Sequence, residues 1–548
     1  MQNTPRTKKV FILWLLPALS VGIVLRLWNL ETQVLGGDEL HTVNIALQNS
    51  LEKILFTYRI SDHCIPLTVF YRLLIDWGVV MSEMIFRLPV LLSGFLLLMA
   101  LPLAVENKVG RTAAVLFALL LALSPLMVFY SRIVRSYMPV LFFSFTAVMS
   151  FYAWWRGRGL RWGLVYVLLS GLSIYFHLGV VPFVTAPLLY GAGELLMEHQ
   201  PKGGKRPGWR ELFALGLCLM LALATFLVPA RKSLFELIKT NRQEFSLPLD
   251  TLLDVLHLQA GTDIFILTVL FWIAVMAGLV LLLRRQIRFG VYSLTLVTCQ
   301  LVGLMILSPS RLNEPLIFNR YVLVILPFVL LWLAVALTNP WWPRKGTGIL
   351  VVQGCLVGSF ICALVLGGPF TDAELRTTSF AHHNSFIGFI ASRGRLPEEA
   401  VPKFYYKLSE EPGSNPVIEC PFPIAWDYSN NLHIYQRIHR QDVLVATYKP
   451  ALNDPRLNFK NMSRLHPEDL LSSRARYLIV HLRWLWEINQ VVDAEWVFSP
   501  VDLNLCHELH QMAQRLTMWL EQLWGDPVYK DRLIQVWDLE QIRNRKKD

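Results

Sequence analysis

The chain is 548 residues long, 54% hydrophobic and only 17% charged, against about 25% charged in an ordinary soluble domain, which excludes a water-soluble globular protein and indicates a membrane protein. Lys and Arg total 51 against 40 Asp and Glu, yet this balance of +11 does not point to nucleic acid, because the basic residues gather in alternate short loops. Seven scattered cysteines without a C-x-x-C pair indicate neither a disulfide framework nor a zinc ribbon.

The first apolar run, residues 10–30, follows Lys8 and Lys9. It is longer than the apolar region of a secretory signal and no small-x-small cleavage site follows, so it predicts an uncleaved first span. Further runs long enough to cross about 30 Å of hydrocarbon begin near Ile85, Ala113, Tyr137, Trp162, Leu178, Leu212, Ile264, Phe289, Tyr321 and Gly348, which predicts eleven spans. The clusters Arg6, Lys8 and Lys9; Lys108 and Arg111; Arg156, Arg158 and Arg161; Lys202, Lys205, Arg206 and Arg210; Arg284, Arg285 and Arg288; and Arg344 and Lys345 fall on one side. By the positive-inside rule that side is cytoplasmic, with the N-terminus on it and the C-terminus opposite.

Three segments of the opposite side are too long for tight turns: residues 31–84, 231–263 and the tail from 368. In the first, the amphipathic stretches 40–56 and 66–80 predict helices lying in the interface. A membrane hairpin over 65–80 would instead place Arg72 and Asp76 at mid-bilayer, at high cost. The tail of about 180 residues has no spanning run and reads as one soluble unit. Its β-rich runs 416–420, 443–448, 477–481 and 533–537 and the helical pattern 504–523 predict a small α/β domain. The expected architecture is a polytopic α-helical membrane domain over 1–367, with its catalytic loop at 31–84, followed by a non-cytoplasmic α/β domain over 368–548.

Gly36-Gly37-Asp38-Glu39-Leu40-His41 delivers two carboxylates to the start of an amphipathic helix. Helix dipole stabilisation of acidic residues is the plain explanation of such a sequence taken alone. On the same side of the membrane, however, lie Asp62-His63-Cys64-Ile65-Pro66-Leu67, Arg87-Leu88-Pro89 and Tyr130-Ser131-Arg132-Ile133-Val134-Arg135-Ser136-Tyr137, and later Arg311 and Asn319-Arg320-Tyr321 with Pro327 downstream. Arg132, Arg135, Arg311 and Arg320 stand where the positive-inside rule disfavours arginine, so each requires an anionic partner or a function. Arginine is suited to forked hydrogen bonds with phosphate; lipid headgroups are the plainer partners. His507-Glu508-Leu509-His510 is one residue short of the zinc-protease spacing.

The order of these motifs resembles that of the protein O-mannosyltransferase and aminoarabinose-transferase family of the GT-C membrane glycosyltransferases. The likeness is clearest over residues 10–180 and 309–340, and His63-Cys64-Ile65-Pro66 stands where the family usually has His-Pro-Pro. The resemblance implies a donor sugar on a polyprenyl phosphate and a hydroxyl acceptor on a protein, lipid or glycan, used at the non-cytoplasmic face of what is expected to be a bacterial inner membrane. It implies Asp38 as the catalytic base, with Glu39 orienting the loop or binding acceptor. Arg132, Arg135, Arg320 and His63 would face the donor phosphate, and Asp62, Tyr137, Tyr321 and Arg311 would line the cavity. One base acting in a direct displacement implies inversion at the anomeric carbon. No metal is required; a divalent cation held by Asp38, Glu39, His41 and His63 is the lesser expectation. The rival readings are a lipid or solute transporter that grips phosphate with the same arginines, and a non-catalytic lipid-binding subunit of the same fold. Transporters show paired halves or broken helices near the midplane, whereas here the charges crowd one face.

Overall fold

The computed structural model describes residues 5–28, 30, 39–57, 64–79, 81–197, 207–241, 247–262, 264–310, 312–338, 347–368, 401–413, 415–420, 435, 438–439, 441, 467–483 and 503–545. They belong to two compact units: Met1–Trp28, Ser50–Asp372 and Thr378–Phe380 form one, and Asn29–Asn49, Ala373–Thr377 and Ala381–Asp548 the other. In chain order the helices are α1 (Pro5–Leu27), α2 (Glu39–Gln48), α3 (Leu51–Leu55), α4 (Ile65–Asp76), α5 (Glu83–Val109), α6 (Arg111–Leu123), α7 (Pro125–Tyr130) and α8 (Tyr137–Trp155). Next come α9 (Leu160–Phe176), α10 (Val181–Met197), α11 (Trp209–Leu227), α12 (Arg231–Asn241), α13 (Leu249–Ala260), α14 (Phe265–Arg285), α15 (Ile287–Leu307), α16 (Pro315–Val322), α17 (Leu326–Thr338) and α18 (Thr347–Leu366). The C-terminal segment adds α19 (Lys403–Glu410), β1 (Val417–Cys420), α20 (Pro467–Ser472), β2 (Tyr477–His481), α21 (Leu503–Trp524), β3 (Tyr529–Lys530), β4 (Ile534–Asp538) and α22 (Leu539–Arg545).

Each of the eleven apolar runs contains a helix, and the two amphipathic stretches form α2, α3 and α4. Among the described residues six helices are long and apolar enough to cross a membrane: Met84–Val109, Tyr137–Trp155, Leu178–Met197, Phe265–Arg285, Ile287–Leu307 and Ile317–Thr338. Phe11–Leu27, Arg111–Leu123, Leu160–Phe176 and Gly354–Leu366 are shorter apolar helices. Large apolar side chains such as Trp14, Phe213, Met220, Phe265 and Ile306 stand open on the outer faces of α1, α11, α14 and α15. Soluble proteins do not leave surfaces of that kind in water; the chain is an integral membrane protein.

Proline divides two of the runs. Pro125 follows Ser124, whose extended backbone ends α6, and a new helix α7 starts at the proline. Pro327 lies just after a 3-10 turn, Leu323–Ile325, that separates α16 from α17. A proline has no N–H for the helix ladder and disfavours helical backbone in the residue before it.

The centre of the bundle is α17, in which every residue from Leu326 to Val335 is buried. Helix α14 reaches it closely because Gly278 has no side chain: a Cβ there would lie 1.7 Å from the Trp332 carbonyl oxygen. Gly278→Ala is therefore expected to force the helices apart and cost about 1–3 kcal/mol. Thermal unfolding of the purified protein should show a lowered midpoint, whereas Gly354→Ala, where nothing lies within 4 Å, should leave it unchanged.

In the second unit the sheet order is β1-β2-β4-β3, with β1 and β2 parallel and β4 antiparallel to both β2 and β3. Ile418, Cys420, Leu478, Val480 and Trp537 from the strands pack with Ala513, Leu520 and Trp524 of α21 and with Leu539 and Ile542 of α22. Three of the expected strands are present; residues 443–448 lie outside the described residues.

Candidate active site

At one end of the bundle, the start of α8, the end of α9, the turn into α10 and helix α16 meet around a small open cleft. Tyr137, His177, Gly179, Arg320 and Tyr321 line it, with Val140 and Leu323 among the apolar contributors. The Arg320 guanidinium lies 5.8 Å from the centre of the Tyr137 ring. The His177 ring sits between two tyrosines, 5.9 Å from Tyr137 and 5.6 Å from Tyr321. Arg135 and Arg320 are both near enough to act electrostatically on the Tyr321 hydroxyl. The pocket thus combines one delocalised cation, Arg320, with aromatic walls, a surface suited to an anionic oxygen group attached to an apolar body.

Backbone geometry holds these side chains in place. His177 Nδ1 accepts the Gly179 N–H at 3.1 Å, which leaves the proton of the neutral ring on Nε2 and makes that nitrogen a donor. A Cβ on Gly179 would come within 2.8 Å of Tyr321 Cδ1 and 3.0 Å of the His177 ring, so only glycine fits between them. Behind the pocket the buried Gln300 donates from Nε2 to the carbonyls of Gly179 at 3.0 Å and Tyr321 at 2.9 Å, joining two walls. Asn319 Oδ1 accepts from Gln259 Nε2 at 2.7 Å, fixing α16 against α13.

Arg132 stands apart from Arg135 and Arg320. It is 1% exposed, and its Nη1 donates to the Trp28 carbonyl at 2.6 Å and the Leu25 carbonyl at 3.3 Å, at the C-terminal end of α1. Arg87 Nε in turn donates to the Arg132 carbonyl at 3.1 Å. Arg26, wholly buried, repeats the theme, with Nη1 donating to Gly22 O at 3.0 Å and Ala122 O at 3.5 Å, Nη2 to Leu121 O at 3.3 Å and Nε to Ser131 Oγ at 3.0 Å. Guanidinium groups at helix C-termini satisfy carbonyls without a ladder partner and offset the negative end of the helix dipole. These contacts fasten α1, α6 and the segment after α7 to one another.

Of the other residues singled out in the sequence, Glu39 is buried in the first turn of α2. Asp38, Asp62, His63 and Arg311 lie outside the described residues. His177 lines the pocket although it belongs to none of these motifs, and Gln300 and Arg26 carried no motif either. A lone arginine in the apolar run 10–30 was the one available signal for Arg26.

The C-terminal unit has a buried polar cluster of its own. Glu419 on β1 lies 3.2 Å from His439 Nε2 and 2.8 Å from His481 Nε2, and all three side chains are buried. His439 Nδ1 accepts the Gln441 N–H at 3.1 Å, so its Nε2 carries the proton and donates to Glu419. The Tyr405 hydroxyl is 3.1 Å from His481 Nε2, and the Tyr435 ring stacks on His481 at 5.2 Å. Burial pushes the Glu419 carboxyl up, but the hydrogen bonds from His439 and His481 outweigh it and hold the group at about 2. A carboxyl depressed from its ordinary 4.5 adds stability that is complete above that value and is lost as pH falls from about 4.5 to about 2. Glu419→Gln leaves the imidazole donors facing an amide and should cost about 1.5–3 kcal/mol at neutral pH. Unfolding midpoints of the full chain followed from pH 7 downward should show this loss for the variant and a shallower decline below about pH 4.5 than in the wild type.

In fold the chain is similar to the GT-C membrane glycosyltransferases. Two structures of ArnT from Cupriavidus metallidurans are similar to it. The apo form has a TM-score of 0.51 at 13% identity, covering 97% of this chain and 98% of that one. The form bound to undecaprenyl phosphate has a TM-score of 0.51 at 14% identity, covering 95% and 97%. The arabinofuranosyltransferase AftD from Mycobacteria aligns at a TM-score of 0.45 and 15% identity, over 85% of this chain and 36% of its own. At these identities the likeness is one of fold. No family profile matches the sequence, and no curated protein matches it.

Proposed function

We propose that the protein is an inverting glycosyltransferase that moves a sugar from a polyprenyl-phosphate donor to a hydroxyl acceptor on the non-cytoplasmic side of a bacterial inner membrane. The observation that carries this reading is the pocket that Arg320 shares with Tyr321, with Tyr137 and His177 as aromatic walls. A phosphate leaves without needing a proton; what it needs is positive charge placed where negative charge develops. Arg135 and Arg320 supply that charge, and His177 and Tyr321 supply neutral donors. Support also comes from the fold, since the ArnT structure similar to this chain holds undecaprenyl phosphate.

The remaining roles rest on the family resemblance. Asp38 takes the proton from the acceptor hydroxyl, which is otherwise a poor nucleophile, and Glu39 orients the loop that carries it. Asp62, His63 and Arg311 line the donor side, and no metal takes part. The membrane domain extends over 1–367 with eleven spans, and the α/β domain over 368–548 lies outside and shapes acceptor access. The resemblance puts Arg132 at the donor phosphate as well; on its hydrogen bonds to the Leu25 and Trp28 carbonyls we assign it instead the positioning of the segment leading to Arg135.

The test is to incubate the purified full chain with a panel of radiolabelled polyprenyl-phosphate sugars and membrane acceptor, and to measure free polyprenyl phosphate and labelled acceptor together. Stoichiometric appearance of both with one donor is the expected result. Saturable lipid binding with no turnover across the panel would replace the transferase reading by that of a transporter or binding subunit.

A further inference from the structure

The opposite end of the bundle carries a second cationic site. Helix α8 separates the two: Tyr137 begins it and Arg156 follows its last residue, about 28 Å away at 1.5 Å per residue. There the half-buried Lys108, at the end of α5, places its ammonium 5.2 Å from the centre of the Tyr152 ring and 6.0 Å from that of Phe289. The charges that act on it are those of Arg158 and Arg156, both of its own sign. The described carboxylates at this end are already engaged. Glu106 pairs with Arg111 at 3.0 Å, Glu194 accepts from Trp155 at 2.7 Å and Tyr190 at 2.6 Å, and Glu211 accepts the Gly208 N–H at 2.8 Å. Among the described residues, Lys108, Arg156 and Arg158 have no ion pair with a carboxylate.

Two exposed arginines beside a half-buried lysine that lies on aromatic rings make a cationic face at a membrane helix end, and an anion seated there relieves their mutual repulsion. Exposed lysines reach water and gain from it; Lys108 instead lies inward against Tyr152 and Phe289. We propose that Lys108, Arg156 and Arg158 bind the phosphodiester headgroup of an anionic membrane lipid. The ring faces hold the ammonium, the two arginines close over the phosphate oxygens, and the acyl chains follow the apolar surface of the bundle. A phosphate ester free in solution shares the headgroup's chemistry and is the competing source.

Native mass spectrometry of the purified full chain, titrated with phosphatidylglycerol, phosphatidylcholine or water-soluble glycerol 3-phosphate, tests this. One phosphatidylglycerol should be retained at a concentration about tenfold lower than phosphatidylcholine requires, as one charge-assisted contact provides. Lys108→Met, which keeps an apolar stem on the rings, should lose that preference, and Lys108→Arg should keep it. If Lys108→Met does not fold, Arg156→Gln with Arg158→Gln should give the same loss. Equal retention of the two lipids, or a preference unchanged in the folded variants, overturns the proposal. Competition by glycerol 3-phosphate at equal concentration assigns the site to a soluble phosphate ester and overturns the lipid.

Discussion

Asp38→Asn is expected to lower turnover of a polyprenyl-phosphate sugar by about 10²–10⁴-fold, the range that a positioned general base supplies. The substitution separates two roles of this residue that its sequence context leaves open. Asp38 immediately precedes α2, where an acidic residue favours the helix dipole and Asn caps a helix N-terminus nearly as well as Asp. If capping were its whole function, Asn would preserve both fold and rate. If it takes the acceptor proton, Asn keeps the size and the hydrogen bonds but cannot accept the proton, and kcat falls while donor binding and unfolding midpoint stay unchanged. The wild-type rate should rise with pH through the ionisation of the base, and the residual rate of the variant should not. Glu39→Gln serves as the comparison: an orienting role predicts a smaller fall shared between kcat and KM.

Much of the architecture was legible because a membrane imposes it: apolar runs of sufficient length leave the backbone only a helix. What hydropathy does not encode is where such a run breaks. Ser124-Pro125 and Pro327 interrupt their runs within apolar stretches that read as continuous, and the resulting short elements α7 and α16 carry the approach to Arg132 and Arg320. The same limit applies to arginine roles. Arg132, Arg135 and Arg320 share one signal, a cation on the disfavoured side, yet Arg132 donates to the carbonyls of Leu25 and Trp28 while Arg320 lies by the Tyr137 ring. That distinction depends on which helix ends nearby, a fact of packing. Gln300 and Gly179 escaped because their contribution is a pair of carbonyl contacts and an absent Cβ. In the C-terminal unit the longer strands were visible, whereas the two-residue β3 and the order β1-β2-β4-β3 rest on pairings remote in sequence.

Arg320→Gln is expected to reduce turnover by about 10²–10³-fold, the effect of removing one preorganised group that faces developing charge. The loss should appear mainly in kcat, because the charge it meets is larger at the transition state than in the bound phosphodiester donor. Arg320→Lys should recover only part of the rate: an ammonium keeps the charge but gives up the planar face toward Tyr137 and the forked donors. Arg132→Gln provides the contrast, since it strips donors from the end of α1 and should lower the unfolding midpoint along with the rate. A kinetic loss without a stability loss at Arg320, beside a joint loss at Arg132, would separate the guanidinium that meets substrate from the one that builds its surroundings. Equal stability losses at both positions, with activity following the folded fraction, would mean that Arg320 too is a structural cation and that the donor phosphate lies elsewhere.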